Sequence, residues 1–427
     1  MTLAGISSAH LATWAIAALA TAAVIVRPGR WPEAVWAVSG ALLLVAAQLL
    51  PWREAAQAVG KGLDVYMFLA GMMLISELAR REGLFDFLAA RAVHHARGSA
   101  QRLFFGVYAI GVVVTVFMSN DATAVVLTPA VYAAARRAGA RPLPYLLACA
   151  FIANAASFVL PISNPANLVI FGAHLPPLGT WVAQFALASV ASIVVTYAVL
   201  CWTQRNALAA PIAHDIAQPV LSTGGRWAGW GIALVALVLV LTSALDGPLG
   251  AMTLGASALA CIGVLLRERS APWALLRGVS WSVLALVAGL FVLVEGLVHS
   301  GLIPLLSDAL RNAANAAPAG TAIGSGALVA LLCNLMNNLP AGLMAGSVLA
   351  SADASPLIRS AVAIGIDLGP NLSLTGSLAT LLWLVAIRRE GENVTAWQFL
   401  RVGALAMPLA LAAALGALYL QHRLWGG

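Results

Sequence analysis

The sequence predicts an all-α polytopic membrane protein built from two inverted-topology repeats, with about 10 crossings and two re-entrant hairpins. Three observations lead to this prediction. Hydrophobic residues occupy 61% of the 427 positions and charged residues 9%, whereas roughly a quarter of a soluble domain is charged. Several apolar stretches approach the roughly 20 residues that cross a bilayer. The third observation is that the two halves of the sequence match each other at a fixed spacing. The composition alone excludes a water-soluble fold.

The apolar stretches mark the crossings that are easiest to predict. The first is interpreted as a transmembrane helix rather than a signal peptide, because its first arginine, Arg27, follows it. The net charge of +7 arises from basic residues in the connecting loops, as in other membrane proteins. It therefore gives no reason to expect a nucleic-acid partner. The stretches are residues 9–26, 33–50, 180–202, 228–245, 248–266 and 399–420.

A spacing of 218 residues relates the two halves (295 − 77 = 218, for Glu77 and Glu295). FLAGMMLISELARREGLFDFL at 68–88 aligns with LVAGLFVLVEGLVHSGLIPLL at 286–306, and the same spacing aligns Asn120 with Asn338. Glycine, glutamate and asparagine held at one spacing indicate an internal duplication. The predicted divisions are a first repeat at 1–205, a cytoplasmic linker at 206–225 and a second repeat at 226–427.

Arginine-rich loops predict the orientation of the chain. The loops at 80–102 and 136–141 are rich in arginine, which places both in the cytoplasm. The apolar segment between them, about 103–137, is therefore predicted to be a re-entrant hairpin. Its counterpart at about 320–355 has sparse, balanced charge around it and is expected to open to the outside. An odd number of crossings in each half inverts the second copy, and both termini are expected outside.

Each hairpin is followed by a predicted broken helix, at about 143–174 and 357–387. These contain PISNPANLVIF and DLGPNLSLTGSLATLLWL, in which proline and glycine interrupt the helical hydrogen bonds. Unsatisfied backbone is tolerated at membrane depth only against protein or a hydrated cavity. We therefore expect the four interruptions to meet near the midplane, although simple kinks are the alternative. The candidate substrate-binding residues are Ser119, Asn120, Ser163, Asn164, Asn167, Asn337, Asn338, Thr375, Gly376 and Ser377.

Two acids within apolar segments are candidates for proton coupling. Asp121 lies at the first hairpin tip, and its repeat counterpart is Leu339, so the acid belongs to one half alone. An ionised carboxylate at membrane depth is costly, so it must titrate or find a partner. Asp367 precedes the second break, and capping of a half-helix is its alternative role. Glu77 and Glu295 occur in both halves, which favours a shared structural role.

Other kinds of site find little support in the sequence. The four cysteines are Cys149, Cys201, Cys261 and Cys333, which stand singly in apolar segments. Packing is therefore favoured over thiolate coordination. The sequence contains no Walker loop, Rossmann fingerprint or HExxH motif. We accordingly expect no metal site, no cofactor and no enzymatic activity.

The motifs resemble those of the arsenical pump membrane protein (ArsB) family, within the ion transporter superfamily. SNDATAVVLTP (119–129), ISNPANLVI (162–170), NNLPAG (337–342) and DLGPNLSLTGSLATLLW (367–383) carry the resemblance. It implies scaffold and transport subdomains in each half. It also implies that arsenite and antimonite leave the cytoplasm across the cell inner membrane, by proton antiport or with an ArsA-type ATPase as partner.

Two departures bear on the substrate and the coupling ion. In carboxylate transporters of this superfamily the sequence at the hairpin tip is SNT and that at the helix break is TPPN. This chain instead has SND at the first hairpin tip and SNPAN at the first helix break. A sodium site is therefore disfavoured and protons are favoured. No lysine or arginine lies near the four motifs, which suits a neutral polyhydroxyl cargo. The alternatives are a sodium- or proton-coupled carboxylate transporter, a sodium/proton antiporter, or a membrane protein without transport activity.

Overall fold

The structure is a computed structural model that describes residues 7–172, 175–213, 220–245 and 247–425. Among these residues the regular structure is helical, and the chain pairs as β-structure only in an isolated bridge between Ser99 and Pro211. Eight described helices are long and apolar enough to cross a membrane, and a pair bent by 47° at Gly62 would make a ninth. These findings confirm an all-α polytopic membrane protein.

The first half begins with two helices and a bent pair and ends with a long helix. In chain order its helices are α1 (Ser8–Val26), α2 (Glu33–Ala46), α3 (Trp52–Lys61), α4 (Leu63–Arg81), α5 (Leu84–Ala96), α6 (Ala100–Met118), α7 (Asn120–Ala122), α8 (Thr128–Arg137), α9 (Leu143–Ala155), α10 (Pro165–Phe171) and α11 (Leu178–Thr203).

After the short α12 (Arg205–Leu208), the second half repeats this order. Its helices are α13 (Thr223–Ala244), α14 (Leu249–Arg267), α15 (Pro272–Gly278), α16 (Ser282–His299), α17 (Leu302–Ala316), α18 (Pro318–Met336), α19 (Asn338–Ser351), α20 (Pro356–Leu368), α21 (Leu378–Arg389) and α22 (Ala396–Trp425). The predicted linker at 206–225 overlaps α12 and the first three residues of α13, and its residues 214–219 lie outside the described part of the chain.

Short sequence features place the ends of these helices. Ser7, Ser99 and Ser222 cap α1, α6 and α13 by accepting a hydrogen bond from a backbone N–H in the first turn. Gly83 and Gly301, which the 218-residue spacing aligns, have φ of 72° and 76° and connect α4 to α5 and α16 to α17. Glycine adopts this left-handed backbone without steric cost, so both halves turn at the same position.

Equivalent helices of the two halves each pack against the opposite half. Helix α4 packs on α14 of the other half, and its repeat counterpart α16 packs on α2. An added Cβ at Gly71 would lie 2.8 Å from the backbone at Thr253, and one at Gly289 would lie 2.7 Å from the backbone at Ala37. Small residues allow such close approach between membrane helices. This reciprocal packing is what a twofold relation between the halves produces, and their inverted orientation stays a prediction.

We predict that Gly71→Leu and Gly289→Leu each destabilise the protein, because either side chain would collide with the backbone of the facing helix. Overpacking of a tight contact costs typically about 1–3 kcal/mol. The measurement is thermal unfolding of detergent-purified variants. Gly255→Leu on α14 is the control, since nothing lies within 4 Å of a Cβ added there. Equal unfolding temperatures for all three variants would contradict this packing.

The predicted hairpins and broken helices correspond to interrupted helical segments. Helix α6 is interrupted at Ser119 and α18 at Asn337, at the predicted tips. Of the segment predicted at 143–174, the structure describes all but residues 173–174, and it shows a break between α9 and α10. The segment at 357–387 breaks between α20 and α21. Re-entry of the hairpins from opposite membrane faces stays a prediction, as does the placement of both termini outside.

Candidate functional site

The two hairpin tips share an unusual backbone conformation. Ser119 has φ 121° and ψ 162°, and Asn337, its repeat counterpart, has φ 73° and ψ 153°. Positive φ is uncommon for residues other than glycine, and such strain persists where the surrounding structure enforces it. Each tip ends one helix and begins the next without completing the hydrogen bonds of a continuous helix. Both tips therefore place a helix end in the protein interior, and at the second tip Asn337 Oδ1 accepts a hydrogen bond from the Leu339 N–H at 3.3 Å.

The first broken helix is held against its own hairpin. Pro161 and Pro165 lack the N–H that a continuous helix requires. Asn164 caps α10, because its Oδ1 accepts a hydrogen bond from the Ala166 N–H at 3.0 Å. The Ser163 hydroxyl donates to the Val116 carbonyl at 3.1 Å, which ties the break to α6 just before the first tip.

The second broken helix repeats this arrangement with different groups. The Asn338 N–H donates to the Gly376 carbonyl at 2.8 Å, and the Asn337 amide donates to the Thr375 carbonyl at 3.4 Å. Ser377 caps α21 by accepting from the Thr380 N–H at 3.1 Å. A Cβ at position 376 would collide with Pro370. Gly376 therefore contributes close backbone approach and a carbonyl.

Asp367 is the point at which the first broken helix meets the second half. Its side chain is fully buried, and its Oδ1 accepts a hydrogen bond from the Asn164 amide. Asn167 lies beside it and donates its own amide to the Ser157 carbonyl at 2.9 Å. A buried carboxylate requires such donors to remain in place. The two halves are thus joined by the pair of Asn164 and Asp367.

A second junction between the halves contains residues that the sequence interpretation missed. The Asn154 amide donates to Asn371 Oδ1 at 3.0 Å and to Thr380 Oγ1 at 3.3 Å. The Ser377 hydroxyl donates to Asn154 Oδ1 at 3.4 Å, and the Asn371 amide donates to the Phe151 carbonyl at 3.1 Å. Asn154 is an asparagine within the apolar stretch LLACAFIANA, a polar interruption that could have marked it.

A cavity of about 80 Å³ reaches the first tip. Ser119, Asp121 and Pro165 line it together with residues of α4 and of the 278–283 segment. Its lining contains the carboxylates of Glu77 and Asp121 and no lysine or arginine. Of the predicted site residues, Ser119 and Asp121 therefore contact the cavity directly.

Glu77 occupies the end of the cavity next to the arginine-rich loop. Its two carboxylate oxygens accept hydrogen bonds from Arg80 at 2.6 and 2.7 Å. Glu295, its repeat counterpart, pairs instead with Lys61 at 2.7 Å. Both acids thus form ion pairs near helix ends, whereas the repeat predicts a shared structural role without specifying ion pairs, and Arg80 offsets the charge of Glu77 in the cavity lining.

The remaining predicted site residues are outside the cavity lining, and all of them except the partly exposed Thr375 are buried. Asn120 and Asn338 are 2% and 3% exposed, so neither hairpin tip lies on a remote surface. Three buried oxygens accept no hydrogen bond from the described residues, namely Asn120 Oδ1, Asn167 Oδ1 and Asp367 Oδ2. Buried polar atoms in native proteins are rarely left without a partner. An ordered water can satisfy such buried acceptors, and at Asp367 a proton can do so as well.

Asn120→Ala should lower transport without unfolding the protein. The Asn120 Oδ1 atom has no partner among the described residues, so its removal costs the fold little while depriving a solute of an acceptor. A lost hydrogen bond of about 1 kcal/mol corresponds to a several-fold increase in KM. Uptake kinetics in proteoliposomes and thermal unfolding measure the two effects separately. Loss of expression or of the folded state would show that Asn120 is structural instead.

Comparison with known proteins places this chain in a family. The sequence model of the CitMHS family, described as citrate transporter, matches residues 14–368. The chain belongs to this family. The CitMHS chain is also similar to the arsenical pump membrane protein of Escherichia coli, at 27% identity over 82% of the chain and 84% of the relative. The corresponding protein of strain K12 is 29% identical with the same coverage.

Two further relatives extend this comparison. The uncharacterized transporter Rv2685 of Mycobacterium tuberculosis is 27% identical over 85% of this chain and 87% of that protein. The crystal structure of the Alcanivorax borkumensis YdaH transporter superposes with a TM-score of 0.54 over 86% of this chain and 87% of that one, at 18% identity, and was described as having an unusual topology. The resemblance to arsenical pump membrane proteins is therefore confirmed, and the chain is a multi-pass secondary transporter.

Proposed function

We propose that this transporter moves arsenite and antimonite, as neutral trihydroxides, out of the cytoplasm across the cell inner membrane. The charge of the cavity carries the proposal. Its lining contains Asp121 and the Glu77 carboxylate that is paired with Arg80, and it includes no lysine or arginine. A dianion would require compensating positive charge in such a site. A neutral solute bearing hydroxyl groups is compatible with it, and the similarity to arsenical pump membrane proteins supports the same substrate class.

The polar groups around the first tip suit a polyhydroxyl solute. Asn120 and Asn167 each have a buried carbonyl oxygen without a donor among the described residues, and the Ser119 hydroxyl lines the cavity. Carbonyl oxygens accept hydrogen bonds from hydroxyl groups, and a serine hydroxyl both donates and accepts. A trihydroxide that reached these residues could therefore donate to acceptors that the described residues leave without a donor.

Proton exchange at Asp121 is the proposed driving reaction. Asp121 is half-buried on the cavity wall, where it can exchange a proton with water and contact a solute. Asp367, which accepts a hydrogen bond from Asn164, is proposed as the second coupling acid. The alternative source of energy is ATP hydrolysis by an ArsA-type ATPase, which would bind this same membrane chain.

The test is flux in everted vesicles that contain this chain and no endogenous arsenite pump. An imposed gradient, acidic inside, should drive accumulation of arsenite and antimonite, and a protonophore should abolish it. ATP supplied with and without an ArsA-type partner distinguishes the two energy sources. Vesicles with correctly inserted protein and no arsenite flux under either condition would refute the proposal.

Carboxylate transport is the second candidate, favoured by the match to a family described as citrate transporter. A helix end such as the one at Ser119 can bind an anion through backbone N–H groups without a basic side chain. At the second tip the Asn338 and Leu339 N–H groups already donate to the Gly376 carbonyl and to Asn337 Oδ1. Citrate or succinate uptake into proteoliposomes, with and without sodium, tests this candidate directly. Sodium-dependent citrate uptake without arsenite flux would decide in its favour.

A further inference from the structure

A basic pocket lies away from the cavity, where the beginning of α9, the end of α11 and the beginning of α22 meet. Its volume is about 450 Å³, which is within the range of small-molecule sites. Arg205 and Arg401 line it together with Gln204, Gln398 and Asn206. Neither arginine forms an ion pair with a residue that the structure describes. The pocket thus combines two positive charges with three carboxamides.

Tryptophan residues indicate that this basic pocket lies at the membrane surface. Trp202 lines it and is 59% exposed, and the Arg205 guanidinium lies 5.8 Å from the Trp202 ring centroid. Trp397 on α22, next to Gln398, is 65% exposed. Exposed tryptophans collect at the boundary between lipid and water. The pocket is therefore positioned beside lipid headgroups rather than within the hydrocarbon.

The internal repeat supplies a second copy of the pocket for comparison. At the opposite ends of α11 and α22 lies a sister pocket of about 350 Å³, which includes Thr180, Ala183 and His422. Ala183 is the repeat counterpart of Arg401 (401 − 183 = 218). Arg423, the counterpart of Arg205, is absent from that lining and donates to the Tyr419 hydroxyl at 2.9 Å. The fold thus forms the pocket twice, and the arginines line one copy.

We propose that this basic pocket binds the phosphodiester headgroup of an anionic phospholipid. Guanidinium groups match phosphate oxygens in charge and geometry, and carboxamides can bind glycerol hydroxyl groups. Basic pockets between membrane helices on the cytoplasmic side bind anionic headgroups in this way. The arginines occur at the end of the α11 and α22 pair that is predicted to face the cytoplasm. The bound lipid would hold α9, which carries Asn154, against both long helices.

The test uses the full-length chain, purified in detergent and titrated with phosphatidylglycerol or phosphatidylcholine under native mass spectrometry. The wild-type chain should bind phosphatidylglycerol more tightly than phosphatidylcholine. The double variant Arg205→Gln, Arg401→Gln should weaken phosphatidylglycerol binding about tenfold or more, because each arginine near the surface contributes on the order of 1 kcal/mol. Arg267→Gln is the matched control, since Arg267 also lies over a tryptophan, 4.8 Å from the Trp227 centroid, but outside the pocket.

A single variant provides a further test in case the double variant does not fold. Arg401→Ala copies the residue that the sister pocket already contains, so it should fold and lose part of the phosphatidylglycerol preference. Equal binding of the two lipids by the wild type would overturn the proposal, as would unchanged binding by a folded variant. Titration with glycerol phosphate distinguishes the source of the phosphate. Full displacement of the lipid by millimolar glycerol phosphate would show a site for a soluble anion and overturn the lipid assignment.

Discussion

Asp121→Asn is expected to abolish proton-driven accumulation of arsenite while leaving the protein folded. Asp121 is the acid that contacts both the first hairpin tip and the cavity. Asparagine preserves the size of the side chain but can neither bind nor release a proton in exchange for a solute. Hydrogen bonds to charged groups contribute about 1.5–3 kcal/mol, so apparent affinity should also fall by about 10- to 100-fold if the carboxylate contacts the solute.

The measurement is the initial rate of arsenite uptake into everted vesicles over a range of imposed pH gradients. Wild-type rates should rise with the gradient, whereas Asp121→Asn should give the same low rate throughout. Asp308→Asn is the matched control, because the Asp308 side chain is 62% exposed and lies on α17, outside the cavity lining. A gradient-dependent rate in Asp121→Asn would remove this residue from the coupling mechanism. Arsenite binding without a response to the gradient would support it.

The positions of the helix breaks could be predicted because the responsible residues act locally. Pro161 and Pro165 each remove a backbone donor, so the break between α9 and α10 follows from the sequence alone. The tips at Ser119 and Asn337 were predicted from a polar run shared by two copies at one spacing. Their positive φ was not, because serine and asparagine give no sequence indication as strong as glycine does.

Contacts between the halves could not be predicted because they join residues far apart in the chain. Asn154 and Asn371 are 217 positions apart, and no motif in either segment indicates that their amides meet. The repeat spacing predicts which elements are equivalent, but it does not specify the depth at which one half packs against the other. That depth depends on close backbone contacts such as those at Gly71 and Gly289.

The first hairpin also contains a π-helical turn at Thr123–Leu127 that no motif had indicated. Pro129 follows it and lacks the N–H that would continue a regular α-helix. The Thr115 and Thr123 hydroxyls lie 2.8 Å apart and form a hydrogen bond, and the Thr128 hydroxyl donates to the Thr123 carbonyl at 3.1 Å. Such turns are frequent at functional sites. The π-helical turn at Thr123–Leu127 widens the backbone shortly after Asp121. Val125 and Val126 within this turn line the cavity.

Asn164→Ala is expected to destabilise the protein and to impair transport together. It removes the donor to Asp367 Oδ1, and Asp367 Oδ2 already has no partner among the described residues. A buried acceptor left without a donor costs about 1–3 kcal/mol, and more when it is charged. Thermal unfolding in detergent should therefore show a clear decrease in unfolding temperature. Asn315→Ala is the control, because Asn315 is exposed on α17.

A second substitution separates the structural role of this pair from the role of its acid. Adding Asp367→Asn to Asn164→Ala removes the unpaired carboxylate and should recover much of the lost stability. The exchanged pair Asn164→Asp, Asp367→Asn retains one acid and one amide in contact but moves the acid to the N-terminus of α10. If coupling of proton movement to transport requires an acid on α20, the exchanged variant should be stable but should transport without responding to the proton gradient. If it couples as the wild type does, Asp367 acts as a hydrogen-bond acceptor that joins the halves, and Asp121 alone carries the proton.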